Sequence, residues 1–408
     1  MKTNKKLTAM AAMAAACVAT HALGQTAYVR PAYQFPPPPE GSERQGIQVG
    51  DSPFYAAPVL GVGAGRDDNL FLSNTNETST PFYVINPGLR LNARDANKVF
   101  QLGYNIQAGH YSDSEDDDYV DHTLRAQFDV AFDRRNFLRL GYEYLRGHDP
   151  RGHTDRPPAG EPDRFSHSVP SLTYAFGTPG AAGRLEAYAS GARKRYLNNR
   201  ETTAASDRDA PEVGGVFYWR VAPKTHALFE ARRTELDYKS QASNLSGSEV
   251  RYYGGLSWEA TAATTGTIKL GRLEKRFDRG HPDYSDLGWE AVVSWLPRSY
   301  SRLDLYGART PIESTGLGSF ILAQVAGVSW NHAWSSTLST ALDARYQKDY
   351  YQDFPRTDET VAVGLKVGYR IRRWLTLGFE YTHTQRDSNQ RVYEYDKNFY
   401  LLSAAASM

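Results

Sequence analysis

The chain contains the run Val361-Ala362-Val363-Gly364-Leu365-Lys366-Val367-Gly368-Tyr369-Arg370-Ile371, then Arg372-Arg373, then Leu375-Thr376-Leu377-Gly378-Phe379-Glu380-Tyr381. In the first segment Val361, Val363, Leu365, Val367, Tyr369 and Ile371 alternate with Ala362, Gly364, Lys366, Gly368 and Arg370. In the second, Leu375, Leu377, Phe379 and Tyr381 alternate with Thr376, Gly378 and Glu380. Successive side chains of a strand point to opposite faces, whereas a helix would repeat its apolar residues three and four apart. The pair therefore reads as a tight hairpin with one apolar and one polar face.

The same texture extends outward from this hairpin. Phe100, Leu102, Tyr104 and Ile106 alternate with Gln101, Gly103 and Asn105. Leu124, Ala126, Phe128, Val130 and Phe132 alternate with Thr123, Arg125, Gln127, Asp129 and Ala131, and Leu138, Leu140, Tyr142 and Tyr144 alternate with Arg139, Gly141 and Glu143. Segments 265–277 and 319–333 alternate poorly, which leaves their register open. A soluble half-buried sheet shows the same period. The distinguishing feature is persistence over about 350 residues with no helical segment between strands. Such a sheet must close or fold onto itself.

The connections sort into two kinds. Short turns are expected near Arg94-Asp95-Ala96, Arg134-Arg135, Pro179-Gly180, Pro223-Lys224, Ala262-Ala263, Arg298-Ser299, Trp334-Ser335 and Arg372-Arg373. Longer polar loops fall at about 66–79, 112–119, 147–164, 198–209, 239–248, 278–285, 313–318, 351–358 and 387–391. Eight short turns and nine long loops imply about eighteen strands. Short turns on one side and long loops on the other are the outer-membrane arrangement. The expected fold is all-β, a transmembrane antiparallel outer-membrane β-barrel of about eighteen strands. Trp219, Trp258, Trp295, Trp330, Trp334 and Trp374 all fall at or near expected short turns. Tryptophan favours the membrane–water interface, so these six are read as an interface girdle. The alternative is ordinary core residues of a soluble sandwich.

The totals agree. Forty-seven basic and 46 acidic residues leave a net charge of +1, far from the basic surplus of a nucleic-acid binder. Mean hydropathy is −0.57, too polar for a bundle of membrane helices. At the N-terminus, Lys2, Lys5 and Lys6 precede an apolar stretch from Leu7 to Ala19, and Ala22-Leu23-Gly24 offers a cleavage site before Gln25. This reads as a cleaved signal peptide; the alternatives are an ordinary N-terminal helix and a lipoprotein cleavage at Ala15-Ala16-Cys17. Cys17 is the one cysteine, so the mature chain would have no disulfide. The expected organisation is a signal peptide over 1–24, a Pro-rich periplasmic lead-in over 25–52 containing Pro36 to Pro39, and the transmembrane barrel over 53–408. A plain tail with no partner is the other reading of 25–52.

Three features resemble a known family. They are the opening Ala57-Pro58-Val59-Leu60-Gly61-Val62-Gly63-Ala64-Gly65-Arg66-Asp67-Asp68-Asn69-Leu70-Phe71, the returning Phe82-Tyr83-Val84-Ile85-Asn86-Pro87-Gly88-Leu89, and strands such as Leu140-Gly141-Tyr142-Glu143-Tyr144. Over about 50–408 the layout resembles the putative β-barrel porin type 2 family, and within it the EpsL-like outer-membrane proteins of exopolysaccharide operons. The resemblance implies a porin-like barrel of the Gram-negative outer membrane taking part in exopolysaccharide biosynthesis or export. One departure concerns the end. Many barrels finish on Phe or another aromatic, whereas this chain finishes Phe399-Tyr400-Leu401-Leu402-Ser403-Ala404-Ala405-Ala406-Ser407-Met408, which leaves the last strand's boundary open.

Candidate chemistry is sparse. In Ser166-His167-Ser168 the histidine points away from both serines if the segment is a strand. His148 and His153 lie in a Pro/Gly-rich loop without metal-site spacing. Asp113, Glu115, Asp116, Asp117, Asp118 and Asp121 are the densest carboxylates and the candidates for a divalent cation, against the plainer reading of a solvated acidic loop. The polar faces of the strands place Arg125, Asp129, Arg139, Glu143, Asp343, Arg345, Lys366, Arg370 and Glu380 in the lumen. Both signs mixed with Gln, Asn and Thr suit sugars and suit a generic hydrated pore wall equally. No catalytic residue, cofactor or nucleic acid is expected. The expected partners are outer-membrane lipid, polysaccharide and periplasmic export components, with the oligomeric state left open. The leading expectation is a conduit or assembly component for exopolysaccharide. A general diffusion porin and an outer-membrane enzyme acting on lipid or polysaccharide are the alternatives.

Overall fold

The computed structural model of the protein describes residues 46–155, 160–261 and 263–407. The expected signal peptide, Cys17 and the Pro36–Pro39 run lie outside the described residues. What is described of the expected lead-in includes β1 (Ile47–Gln48), which pairs with Ala56 and Tyr55 at the start of β2.

Eighteen strands form the wall, from β2 (Phe54–Asp67) to β19 (Tyr395–Ser407). Each pairs antiparallel with its sequence neighbours, and β19 pairs back onto β2 from Phe399↔Asp67 to Ser407↔Val59, so the sheet has no free edge. Strands run 12–16 residues, long enough to cross a bilayer at a tilt. The eight expected short turns and nine expected loops fall at the junctions of successive strands, with Ala262 itself outside the described residues. Phe54 and Ser407 stand at the short-turn end, as an even strand count requires.

The alternation sets the wall's two faces. Direct cross-strand partners share a face, and in the ladders Leu140, Phe128 and Phe100 are successive partners. Leu140, Leu172, Tyr142 and Tyr174 are exposed on the outer face. Bulges interrupt the ladders at Thr225/His226, between Trp258 and Thr261, between Trp295 and Arg298, and between Arg370 and Arg372. All four are at the short-turn end, where a bulge tightens the twist at a barrel rim.

The closing seam explains the glycine-rich opening. Phe82, Val84, Phe399 and Leu401 form a buried inner cluster, with the Phe82 and Phe399 rings stacked at 5.0 Å. A Cβ at Gly63 would meet Leu401 and Val84, and one at Gly65 would run into the Phe82 ring. Glycine in β2 thus makes room for large residues of β3 and β19. Each buried side chain contributes about 1.5–3 kcal/mol, so the cluster pins the strand pair that closes the barrel.

The six tryptophans lie near the short turns. Trp219, Trp258, Trp295 and Trp330 are on the outer face of β9 (Arg208–Ala222), β11 (Gly247–Thr261), β13 (Tyr284–Arg298) and β15 (Ile321–Ala333). Trp334 and Trp374 are exposed in the turns themselves.

Candidate functional site

The inner face is the candidate site, because a closed wall offers its polar side chains only to its own lumen. The nine residues assigned there from the sequence occupy the face opposite the exposed apolar set, and they divide into two kinds. Arg139 (β6, Asn136–Asp149) holds Asp129 (β5, Tyr119–Ala131) through Nε and Nη2, each at 2.8 Å, with both side chains buried. Glu380 (β18, Leu375–Ser388) is buried beside Lys366 (β17, Thr357–Arg372) at 3.3 Å. The rest are more open to solvent. Arg125 bonds Glu143 at 3.0 Å with both side chains exposed. Asp343 and Arg370 are exposed, and Arg345 is half-buried against Gln347.

The densest charge in the wall lies elsewhere. Glu230 and Arg232 of β10 (Thr225–Tyr238), Glu249, Arg251 and Tyr253 of β11, Lys269 of β12 (Thr264–Phe277) and Glu290 of β13 face one another. Lys269 Nζ is 2.8 Å from Glu230 and 2.5 Å from Glu290; Arg232 contacts Glu290 directly and lies 3.7 Å from Glu230. Arg232, Lys269 and Glu290 are 3, 4 and 3 % exposed. Isolated, such charges would be expensive to bury; each here has opposite charge on more than one side. These groups are committed to one another, so they shape the wall.

Toward the loop end the lumen is crossed by chain. The loop between β6 and β7 (Asp163–Phe176) carries Asp155 to the far wall. Tyr351 of β16 (Leu338–Tyr351) donates to it at 2.6 Å, the Thr315 amide donates at 3.2 Å, and Arg356 Nη1 lies at 3.8 Å. Asp155's own amide donates to Thr315 Oγ1 at 3.0 Å. The Ser206 hydroxyl, from the loop after β8 (Gly183–Tyr196), donates to the Thr315 carbonyl at 3.3 Å. At the root of the same loop Gly152 has φ +81°, and a Cβ there would run into the Phe71 carbonyl.

The loop between β14 (Ser301–Ile312) and β15 is drawn inward as well. Glu313 accepts from Lys275 at 2.6 Å and from Tyr238 at 2.7 Å. Burial alone would push the Glu313 carboxyl up; Lys275 and Arg208 beside it hold it below the usual carboxylate range. Phe320 is buried against Leu273 and Leu322. Loops from both sides of the barrel therefore meet around Thr315, forming a constriction on the loop side.

The other sequence candidates are not assembled into a site. Ser166 and Ser168 lie on the outer face, while His167 faces inward opposite Leu145 and Lys194. Asp117 is bound by Arg151 and the Ser114 hydroxyl, Asp118 by His110 at 2.6 Å, and Asp121 by His148 at 2.9 Å. Among the described residues no three His, Cys, Asp or Glu side chains are arranged to hold a metal ion.

Sequence reasoning missed the Glu290 cluster and Asp155. In β10 the signal was present, since His226, Leu228, Glu230 and Arg232 alternate with Ala227, Phe229, Ala231 and Arg233. In β12 it was masked: Lys269 and Lys275 face inward while Arg272, Glu274 and Arg276 emerge from the apolar band on the outer face. Asp155 belongs to a loop, where no periodicity points to a partner.

The family model described as "Putative beta-barrel porin 2" matches residues 39–407. Among curated proteins none matches the chain. Of solved structures, a BenF-like porin from Pseudomonas fluorescens Pf-5 superposes with TM-score 0.50 at 9% identity, covering 86% of this chain and 99% of that one. OccK2 (OpdF) from Pseudomonas aeruginosa, in complex with glucuronate, gives 0.49 at 11%, covering 86% and 98%. The FrpB iron transporter from Neisseria meningitidis (F3-3 variant) gives 0.43 at 11% over 81% of this chain and 62% of that one, so the chain spans about three fifths of that transporter's length. At 9% identity the likeness to the BenF-like porin is one of fold.

Proposed function

The chain belongs to the putative beta-barrel porin 2 family, and from that premise we propose that this porin-like outer-membrane barrel is a passive conduit for hydrophilic molecules, with exopolysaccharide as the class of cargo. The observation that carries the conduit reading is the inner wall itself. Its charges are of both signs and mostly paired in place, as at Asp129–Arg139, Lys366–Glu380 and Glu290–Lys269. Such a wall offers many weak polar contacts. Passage requires that contacts be good enough to replace hydration and too weak to hold the cargo. A neutral or weakly charged glycan meets that condition. The cargo class itself rests on the resemblance of the Ala57–Phe71 and Phe82–Leu89 segments to EpsL-like proteins.

One observation favours a general diffusion porin for small solutes. The loops joined at Asp155 and Thr315 narrow the loop side of the lumen, which suits small molecules and obliges a polymer to displace them. Deleting the gene separates the two. The exopolysaccharide reading expects lower secreted polysaccharide with normal growth on small nutrients. Unchanged polysaccharide with slower uptake of a small solute would overturn it in favour of the general porin.

A further inference from the structure

We propose that the outer wall over β6, β7 and β8, at its loop end, is a binding site for the phosphate headgroup of an anionic outer-leaflet lipid. The strand ladders put Arg146 of β6, Ser166 of β7 and Arg195 of β8 in one row as successive partners. Tyr144, Ser168 and Arg193 form the next row toward the membrane's middle. Neighbouring strands are about 4.8 Å apart, so each row places one serine hydroxyl between longer polar side chains. Arg195 is turned to Asp209 and to the Lys194 and Arg208 carbonyls, which leaves Arg146 and Arg193 as the exposed guanidinium groups beside the two serines; guanidinium matches phosphate in geometry as well as charge.

This patch is on the membrane side of the wall. On the same face, nearer the short turns, β6 carries exposed Tyr142 and Leu140 and β7 carries Leu172, Tyr174 and Phe176. The rows thus lie where the apolar band ends and headgroups begin. Around the rows themselves cations outnumber carboxylates: Arg193, Arg195 and Lys239 all share Asp209, and Lys239 also holds Asp237. Arg164 is paired with Glu161. Arg146 is exposed and has no carboxylate partner among the described residues.

A groove of about 630 Å³ opens beside the first row, on the outer wall under the loops. Tyr83, Ile85 and Val120 give it an apolar floor; His122, Arg146 and Arg164 stand at its polar side. Four carboxylates also line the groove, Asp116, Asp118, Asp121 and Glu161; Asp118 is held by His110 at 2.6 Å, Asp121 by His148 at 2.9 Å and Glu161 by Arg164 at 3.4 Å. A free phosphate would have no use for the apolar floor, whereas a lipid would lay an acyl chain there with its phosphate among the arginines. Basic pockets at headgroup level bind anionic lipids in this way. The site also gives the Ser166-His167-Ser168 segment a role for its two outward serines.

The test uses the full barrel in detergent, with diphosphoryl lipid A as the probe and native mass spectrometry as the readout. The wild type should retain this lipid roughly tenfold or more better than Arg146→Gln/Arg193→Gln. Dephosphorylated lipid A should bind the wild type no better than the diphosphoryl form binds the double variant. Arg146→Gln alone removes no ion pair, so its loss of binding reads the site with the wall intact; unboiled gel mobility reports folding. Lys348→Gln, on the outer face of β16 across the barrel, should bind as the wild type does. Equal retention by wild type and both arginine variants would overturn the proposal. So would an equal loss in Lys348→Gln, or competition by millimolar inorganic phosphate, which would assign the site to the free anion.

Discussion

Tyr351 and Asp155 stand 196 residues apart in the chain and nearly half the barrel's circumference apart, and the Tyr351 hydroxyl donates a 2.6 Å hydrogen bond to the Asp155 carboxylate. Thr315 adds its amide and hydroxyl to the same carboxylate. The contact is a latch across the lumen that ties two loops to the last residue of β16, in addition to the ladders that hold the barrel. Asp155→Ala should release it. A hydrogen bond to a charged group contributes about 1.5–3 kcal/mol, so docking of the loop weakens by more than tenfold. Mean conductance in planar bilayers should rise with added fluctuation, and the temperature at which the folded gel band disappears should stay put. Tyr351→Phe should act in the same direction and more weakly. Unchanged conductance in both variants would show that the latch does not set the constriction.

Glu313 makes the constriction sensitive to acid. Its carboxyl lies below the usual range in the folded state, burial being outweighed by Lys275 and Arg208. A depressed folded value contributes stability that is present above the unfolded value and is lost as pH falls through the folded one. Loop docking should therefore hold at neutral pH and fail only in acid below the ordinary carboxylate range. Conductance recorded from pH 7 downward should be flat and then rise. Glu313→Gln should begin higher at pH 7 and gain less on acidification. A variant that tracks the wild type throughout would assign the acid response to other groups.

Most of the wall was legible because one period governs it. A one-residue slip moves every side chain to the wrong face, so Leu138 to Tyr144 or Val361 to Ile371 admit a single register. Legibility failed where the two faces stop contrasting. In β15 the inward Ile321, Ala323 and Val325 are apolar because the β14–β15 loop folds over them with Leu317, and Tyr351 packs beside it. In β12 the outward face is charged at its loop end. The constriction was beyond reach for a different reason: Asp155, Thr315 and Tyr351 meet through folded loops, and their separations of 160 and 196 residues leave no local trace.

Long loops at one end set the expectation that this end faces out. A tag placed near Gly152 would disturb the constriction, since the glycine is packed against the Phe71 carbonyl. Gln241 is exposed in the loop after β10 and avoids that problem. An epitope inserted there should be reached by antibody on intact cells. The same epitope beside Pro223, in a short turn, should be reached only after the outer membrane is opened. Labelling in the reverse order would turn the barrel over.

The Glu290 cluster should be the wall's most fragile point. Lys269 touches both Glu230 and Glu290 and is 4% exposed. Lys269→Met keeps most of the volume and removes the charge, leaving two buried carboxylates with Arg232 and the more distant Arg251. Breaking a buried pair from one side costs about 3–5 kcal/mol, whereas a solvent-exposed pair such as Arg125–Glu143 contributes about 0–1 kcal/mol. Heating unboiled samples before electrophoresis measures the difference. Lys269→Met should convert to the unfolded band at a clearly lower temperature than the wild type, and Arg125→Ala should not. Equal conversion temperatures for all three would mean that water reaches Glu290 and screens it, so that the cluster lines an aqueous path and not a dry wall.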